Sequence, residues 1–163
     1  MSAAALPTLY CPADFSQFPW MEHAWNELGT REVRGSRHNA RIIEYLRSIN
    51  ASLSSDEIAW CSAFVNWCME QAGITGTDRA NARSWLDWGG QCVAPVYGAV
   101  CVLWRESRQS WKGHVGFYLG KEGSQLILLG GNQNNSVSIK EYHESRLLGF
   151  RWPSGFPLPS RTS

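Results

Sequence analysis

The sequence lacks a surplus of charge of either sign. Fifteen Lys+Arg stand against 14 Asp+Glu, leaving a net charge of +1. Nucleic-acid binding driven by counterion release needs many more cations, so no nucleic-acid partner is expected. No stretch approaches the roughly 20 apolar residues of a membrane span, and no membrane insertion is expected. Met1–Tyr10 has neither a basic start nor a sustained apolar run, so no signal peptide is read there. The five cysteines (Cys11, Cys61, Cys68, Cys92 and Cys101) are odd in number and irregular in spacing, with no CxxC pair. That argues against a disulfide framework and for synthesis in a reducing cytoplasm. His23, His38, His114 and His143 show no ligand spacing with the cysteines, so neither metal nor cofactor is expected. With 18% charged and 12% aromatic residues, the chain is also a poor candidate for disorder.

What the sequence has in excess is tryptophan, nine in 163 residues. A chain of this length forms one domain around one core, with no need of staples. The tryptophans are open to two readings: a Trp-rich core, or a groove of aromatic platforms for a ligand.

The Pro- and polar-rich residues 1–18 read as an N-terminal arm, residues 19–152 as a single domain, and 153–163 as an extended tail with three of the seven prolines. The first half of the domain follows helical spacing. Met21, Ala24, Trp25 and Leu28 form one stripe, stopped by Gly29. Ile42, Ile43, Leu46 and Ile49 form a second, with Asn39 or Ser36 as its cap. Cys61, Phe64, Val65, Cys68 and Ala72 form a third, capped from Ser54, Ser55 or Asp56 and ended by Gly73. A short fourth helix is expected over Asn81 to Trp88. The second half reads as strands at Gly98–Trp104, His114–Leu119, Gln125–Leu129, Val137–Glu141 and Leu147–Trp152, separated by turn residues. Helices followed by a meander of strands predict an α+β fold, with N-terminal helices packed on a C-terminal antiparallel sheet of about five strands.

One constellation could carry chemistry. Cys61 sits near the start of the third helix, where thiolates are favoured. It also lies on that helix's apolar stripe, as an inert core cysteine would, and Glu57 just upstream would oppose ionisation. His114 opens a strand between Gly113 and Gly116, whose lack of side chains leaves space for a helix end. The loop between strands 114–119 and 125–131 centres near Glu122–Gly123, so antiparallel pairing puts positions 130–132 opposite His114. Asn132 then faces the imidazole and can fix its tautomer, the third role in a Cys-His-Asn triad. Gly130–Asn135 also has the composition of a simple turn.

The segments Ala59-Trp60-Cys61-Ser62-Ala63-Phe64-Val65, Gly113-His114-Val115-Gly116 and Gly131-Asn132-Gln133-Asn134 resemble those of the CHAP and NlpC/P60 cysteine peptidases. These are papain-like amidases and endopeptidases of bacterial peptidoglycan. The resemblance covers roughly residues 20–152. It implies a papain-like fold, with Cys61 as nucleophile, His114 as general base and acid, and Asn132 as the orienting group. Asn134 is the alternative orienter, since the CHAP branch often has an acidic third residue with an Asn nearby. Trp60 beside the cysteine is a supporting residue, and Trp85, Trp88, Trp104 and Trp111 are candidate groove walls. Many relatives carry Asp after the glycine where this chain has Gly98-Ala99, so a structural carboxylate is missing here.

The activity so implied is hydrolysis of a stem-peptide amide, either at the sugar lactate–L-Ala bond or at a D-Glu–diamino acid link. The partner is peptidoglycan, and a monomer is expected. Synthesis without a signal peptide implies delivery to the wall or periplasm as a phage-type lysin or as a secreted antibacterial effector. An effector would have a cognate immunity protein. Two rival readings use the same residues: a non-catalytic Trp-rich module that binds glycan or peptide, and a cysteine-dependent acyltransferase.

Overall fold

The computed structural model describes residues 10–33, 39–49 and 60–159. Helix α1 (Pro19–Asn26) begins with proline at its first position, where the missing N–H costs no hydrogen bond. It buries Trp20, Met21 and Ala24. The chain then turns at Gly29, in the left-handed region at φ 98°. Helix α2 (Ala40–Arg47) is capped by Asn39, whose side chain accepts from the Arg41 N–H at 2.8 Å. It buries Ile42, Tyr45 and Leu46. The other cap candidates, Ser36 and Ser54 to Asp56, lie outside the described residues, as does Glu57.

Helix α3 (Cys61–Gln71) is buried at every position from Cys61 to Met69. A helix apolar nearly all round belongs in the centre of a fold, and α3 packs between α1 and α2 on one side and the sheet on the other. Its two buried polar residues are partnered. Ser62 Oγ donates to the Arg79 carbonyl at 2.6 Å, and Asn66 donates to the Ser62 carbonyl and accepts from the Asp78 N–H. The fourth predicted helix is a 3-10 turn, Ala82–Asp87.

Six strands form one antiparallel sheet: β1 (Gly90–Gln91), β2 (Val100–Trp104), β3 (Gly113–Glu122), β4 (Gln125–Gln133), β5 (Ser136–His143) and β6 (Leu147–Trp152). Their order is β1-β6-β2-β3-β4-β5. The five predicted strands are β2 to β6, and the sixth is the two-residue β1 on the edge beside β6. The fold is therefore α+β, helices first and sheet second.

At the other edge, Gly29 and Thr30 exchange backbone hydrogen bonds with Val137, which covers β5. Within the expected arm, Tyr10 donates to Glu122 at 2.9 Å and Phe18 joins the core. Within the expected tail, Phe156 lies edge-on against Trp20 and its carbonyl accepts from Trp152.

Candidate active site

Cys61 is the first residue of α3, and its side chain is buried against β3. The backbone N–H of Val115 reaches the thiol, which brings the helix start to the residue next to His114. Burial pushes the thiol above its ordinary range. The N–H groups of Val115, Ser62 and Cys61 itself, with the Arg105 guanidinium, pull the other way without reversing the shift.

His114 is the second residue of β3 and is also buried. Its Nε2 lies 2.9 Å from Gln133 Oε1 and 3.2 Å from the Tyr142 hydroxyl. The Tyr142 ring lies over the imidazole, with centroids 5.1 Å apart at 30°. The network assigns the protons. Both N–H groups of Gln133 are used, on the carbonyls of Leu128 (3.3 Å) and Ser138 (2.7 Å), so its Oε1 is the atom turned to the imidazole. A carboxamide oxygen only accepts, so His114 carries its proton on Nε2 and leaves Nδ1 as a bare acceptor. Burial, against the pull of the Gln133 bond, lowers the His114 pKa to about 4, and Arg146, Lys140 and Arg105 push in the same direction. At neutral pH the resting pair is thus a neutral thiol and a neutral imidazole.

The carboxamide hydrogen-bonded to His114 is that of Gln133, not of Asn132 or Asn134. The β3–β4 register pairs Phe117 with Leu129 and Tyr118 with Leu128, which points position 132 at His114 as expected. The alternation then breaks. The β4–β5 ladder shifts between Gly130 and Gln133, and Asn132 takes a left-handed φ of 58°. Such a bulge moves the next side chain onto the other face, so residue 133 replaces residue 132. Asn134 and Asn135, at φ 54° and 59°, are the two central residues of the β4–β5 hairpin. Two consecutive positive φ values are what a tight hairpin turn needs, and this turn leaves Asn134 exposed to solvent.

One signal in the sequence could have found Gln133. A Cβ on Gly130 would sit 2.6 Å from Gln133 Oε1, and one on Gly131 would sit 2.6 Å from Trp60 Cζ3 and 2.7 Å from Phe64 Cβ. The glycine pair makes room for the carboxamide on one side and for α3 on the other. Gly116 also faces the carboxamide, 3.5 Å from where its own Cβ would be. The space expected beside the imidazole is therefore filled by Gln133, and the helix packs on both β3 and β4. Tyr142 carried no signal in the sequence.

The tryptophans divide. Trp60 is fully buried, donates to Glu32 Oε1 at 2.7 Å and packs on Tyr45, so its side chain belongs to the core behind Cys61. Trp85 is fully buried too and donates to Ser62 Oγ at 2.9 Å, which removes it from the groove walls. Trp88 is half-buried and borders a cavity of about 260 Å³ with Thr77, Arg79, Ser84 and Asp87. Trp104 is half-buried under the Arg146 guanidinium, 5.9 Å from its ring centroid. Trp111 is 73% exposed. Among the described residues, no group of three or more His, Cys, Asp or Glu is placed to hold a metal ion.

The CHAP domain family matches residues 53–132, a span that includes Cys61 and His114 and stops one residue short of Gln133. Among solved structures, one of similar fold is a protein described as similar to lipoprotein, of the NLP/P60 family, from Staphylococcus aureus subsp. aureus Mu50. It superposes with a TM-score of 0.51 at 19% identity, covering 88% of this chain and 43% of that one. The chain thus spans less than half the length of that neighbour. No curated protein sequence matches the chain. The chain is thus similar to the CHAP domain family over residues 53–132, and its α+β fold is similar to that of the NLP/P60-family structure.

Proposed function

We propose that the protein is a peptidoglycan hydrolase that cleaves an amide bond of the bacterial stem peptide with Cys61 as nucleophile. CHAP domains are typically cysteine peptidase or amidase domains, and the match over residues 53–132 supports this reading. The observation that carries the finer reading is the state of His114. Gln133 holds its Nε2–H, leaving Nδ1 unprotonated, and the Cys61 thiol lies against the N–H of the next residue, Val115.

In this mechanism Nδ1 takes the thiol proton as sulfur attacks the carbonyl carbon. The proton then passes to the leaving amine, and a thioester to Cys61 remains. Water attacks the thioester, with His114 again as base, and the acid is released. The N–H of Cys61, unpaired as the first of a helix, is one donor to the oxyanion. Both groups start neutral in a dry site, so attack and proton transfer are coupled, and no standing ion pair has to be desolvated. Gln133 serves as the positioning residue in place of Asn132. The enzyme acts at the wall or periplasm in this reading, as a phage-type lysin or a secreted antibacterial effector with a neutralising partner protein.

The test is Cys61→Ala on purified peptidoglycan, with the released fragments identified by mass. Replacing the thiol by hydrogen at the start of a helix keeps the fold, so the variant should give a native circular dichroism spectrum and no fragments. Fragment release by a folded Cys61→Ala protein would sink the proposal.

A further inference from the structure

Three cations, Arg105, Lys140 and Arg146, act on His114, and Arg105 acts on Cys61 as well. Arg105 follows the last residue of β2 and Arg146 precedes the first of β6. Both therefore stand at the end of the sheet where β3 begins with Gly113 and His114. Lys140 lies on β5 two residues from Tyr142 and on the same face. Arg146 is seated between two rings, 5.3 Å from the centroid of Tyr142 and 5.9 Å from that of Trp104. Its Nε donates to the Trp104 carbonyl at 3.1 Å, which fixes the plane of the guanidinium. Lys140 Nζ lies 5.4 Å from the Tyr142 centroid. Tyr142 in turn covers His114. The cluster is thus one ring away from the imidazole.

None of these cations forms an ion pair among the described residues. The nearby acids are committed elsewhere: Glu106 to Lys112, and Glu144 to Lys121. Glu141 falls on the opposite face of β5, on the side where it acts on Tyr10. The terminal nitrogens of Arg146 and the whole head groups of Arg105 and Lys140 are left for a ligand. Three like charges without a counter-ion repel one another, and they add to burial, the larger cause, in depressing proton binding at His114. An arrangement of this kind is relieved when an anion docks.

We infer that Arg105, Lys140 and Arg146 form a carboxylate-binding subsite beside the reacting pair, and that it takes the free α-carboxylate of the stem-peptide glutamate. This rests on the hydrolase reading above. The glutamate lies between the two candidate scissile amides, one residue from the first and adjoining the second. Its carboxylate is therefore within one residue of the reacting carbonyl whichever bond is cut. Docking it against the cations fixes the register of the peptide over Cys61. It also offsets their field on His114 when a proton must be taken up.

The experiment compares two soluble muramyl tetrapeptides that differ only at that carboxylate, free in one and carboxamide in the other. Wild-type enzyme should cleave the free acid at least about tenfold faster in kcat/KM, the equivalent of one charge-assisted hydrogen bond. In an Arg105→Gln, Lys140→Gln double variant that ratio should fall to near one. Arg146 is spared because its removal would disturb the packing of Tyr142 and Trp104. Cleavage of both peptides at equal rates by the wild type, or a ratio unchanged in the double variant, would remove the subsite and leave the hydrolase standing. Cleavage of neither by the wild type would overturn the hydrolase reading, and the subsite with it.

Discussion

On the strand side of the site, His114 is tied by a chain of hydrogen bonds through Gln133 to the carbonyls of Leu128 and Ser138, and is roofed by Tyr142. On the helix side, no side chain among the described residues hydrogen-bonds the Cys61 thiol, which meets backbone N–H groups, that of Val115 among them, and is held mainly by where α3 lies. The helix in turn is held by Trp60, Phe64 and Trp85, all fully buried. The imidazole is thus fixed by directional polar contacts and the thiol by apolar packing. Packing tolerates small shifts, whereas a hydrogen-bond chain either forms or leaves a buried polar group unsatisfied. Damage to the helix side should therefore appear first as lost stability, and damage to the strand side as lost turnover and altered pH behaviour.

The largest expected effect on stability is on the helix side. Trp85→Ala removes a fully buried indole and takes from Ser62 Oγ its shorter donor, leaving only Asn66 at 3.5 Å. It should lower the unfolding free energy by about 3–5 kcal/mol in urea denaturation. Trp111→Ala, at a ring 73% exposed, should change it by less than about 0.5 kcal/mol. Equal losses in the two variants would erase the distinction between core and rim tryptophans.

Next comes the pH dependence contributed by the strand side. His114 titrates near 4 in the folded chain because it is buried, and near 6.5 when unfolded. Between these values the unfolded state holds the extra proton, so folding stability rises with pH across the window and is lost as pH falls through it. The loss should approach about 3 kcal/mol by pH 4, with none of it present above pH 7. Denaturation midpoints taken at steps from pH 7 to pH 4 measure it. A His114→Phe variant should flatten the slope in that window. A slope that survives the substitution would assign it to other groups.

The fold was legible because its period signals were local and strong. The stripe from Cys61 to Ala72 and the five strand runs each lie within one element, and each is found in the structure. Hairpin counting also aimed the third group at the correct end of β4, and it failed by one residue. A bulge depends on backbone dihedrals that are set by tertiary packing. Asn132 is free to take a left-handed φ, and nothing near it in sequence dictates that it must. The same limit applies to tryptophan. Trp85 sits in a short 3-10 turn whose inward side is tied to Ser62, 23 positions earlier, so its own neighbours gave no hint of burial. Tyr142 reaches His114 only because β5 pairs with β4, a contact 28 residues apart.

The register slip at Asn132 can be tested directly, and it bears on the strand side alone. Gln133→Ala removes the acceptor that holds Nε2–H, so the imidazole can rotate and populate the wrong tautomer. Loss of orientation of this size costs roughly a hundredfold in kcat, while KM should move little because Gln133 is buried and cannot touch substrate. Asn132→Gly is the matched control, since glycine accepts φ 58° without strain. It should keep turnover within about twofold if Asn132 serves only the bulge. An inverted pattern, with Asn132→Gly inactive and Gln133→Ala near wild type, would restore asparagine to the orienting role. It would also mean that the hydrogen bonds of Gln133 support only the sheet. A hundredfold loss confined to Gln133→Ala would show that a single bulged residue decides which amide, of two adjacent in the chain, prepares the base.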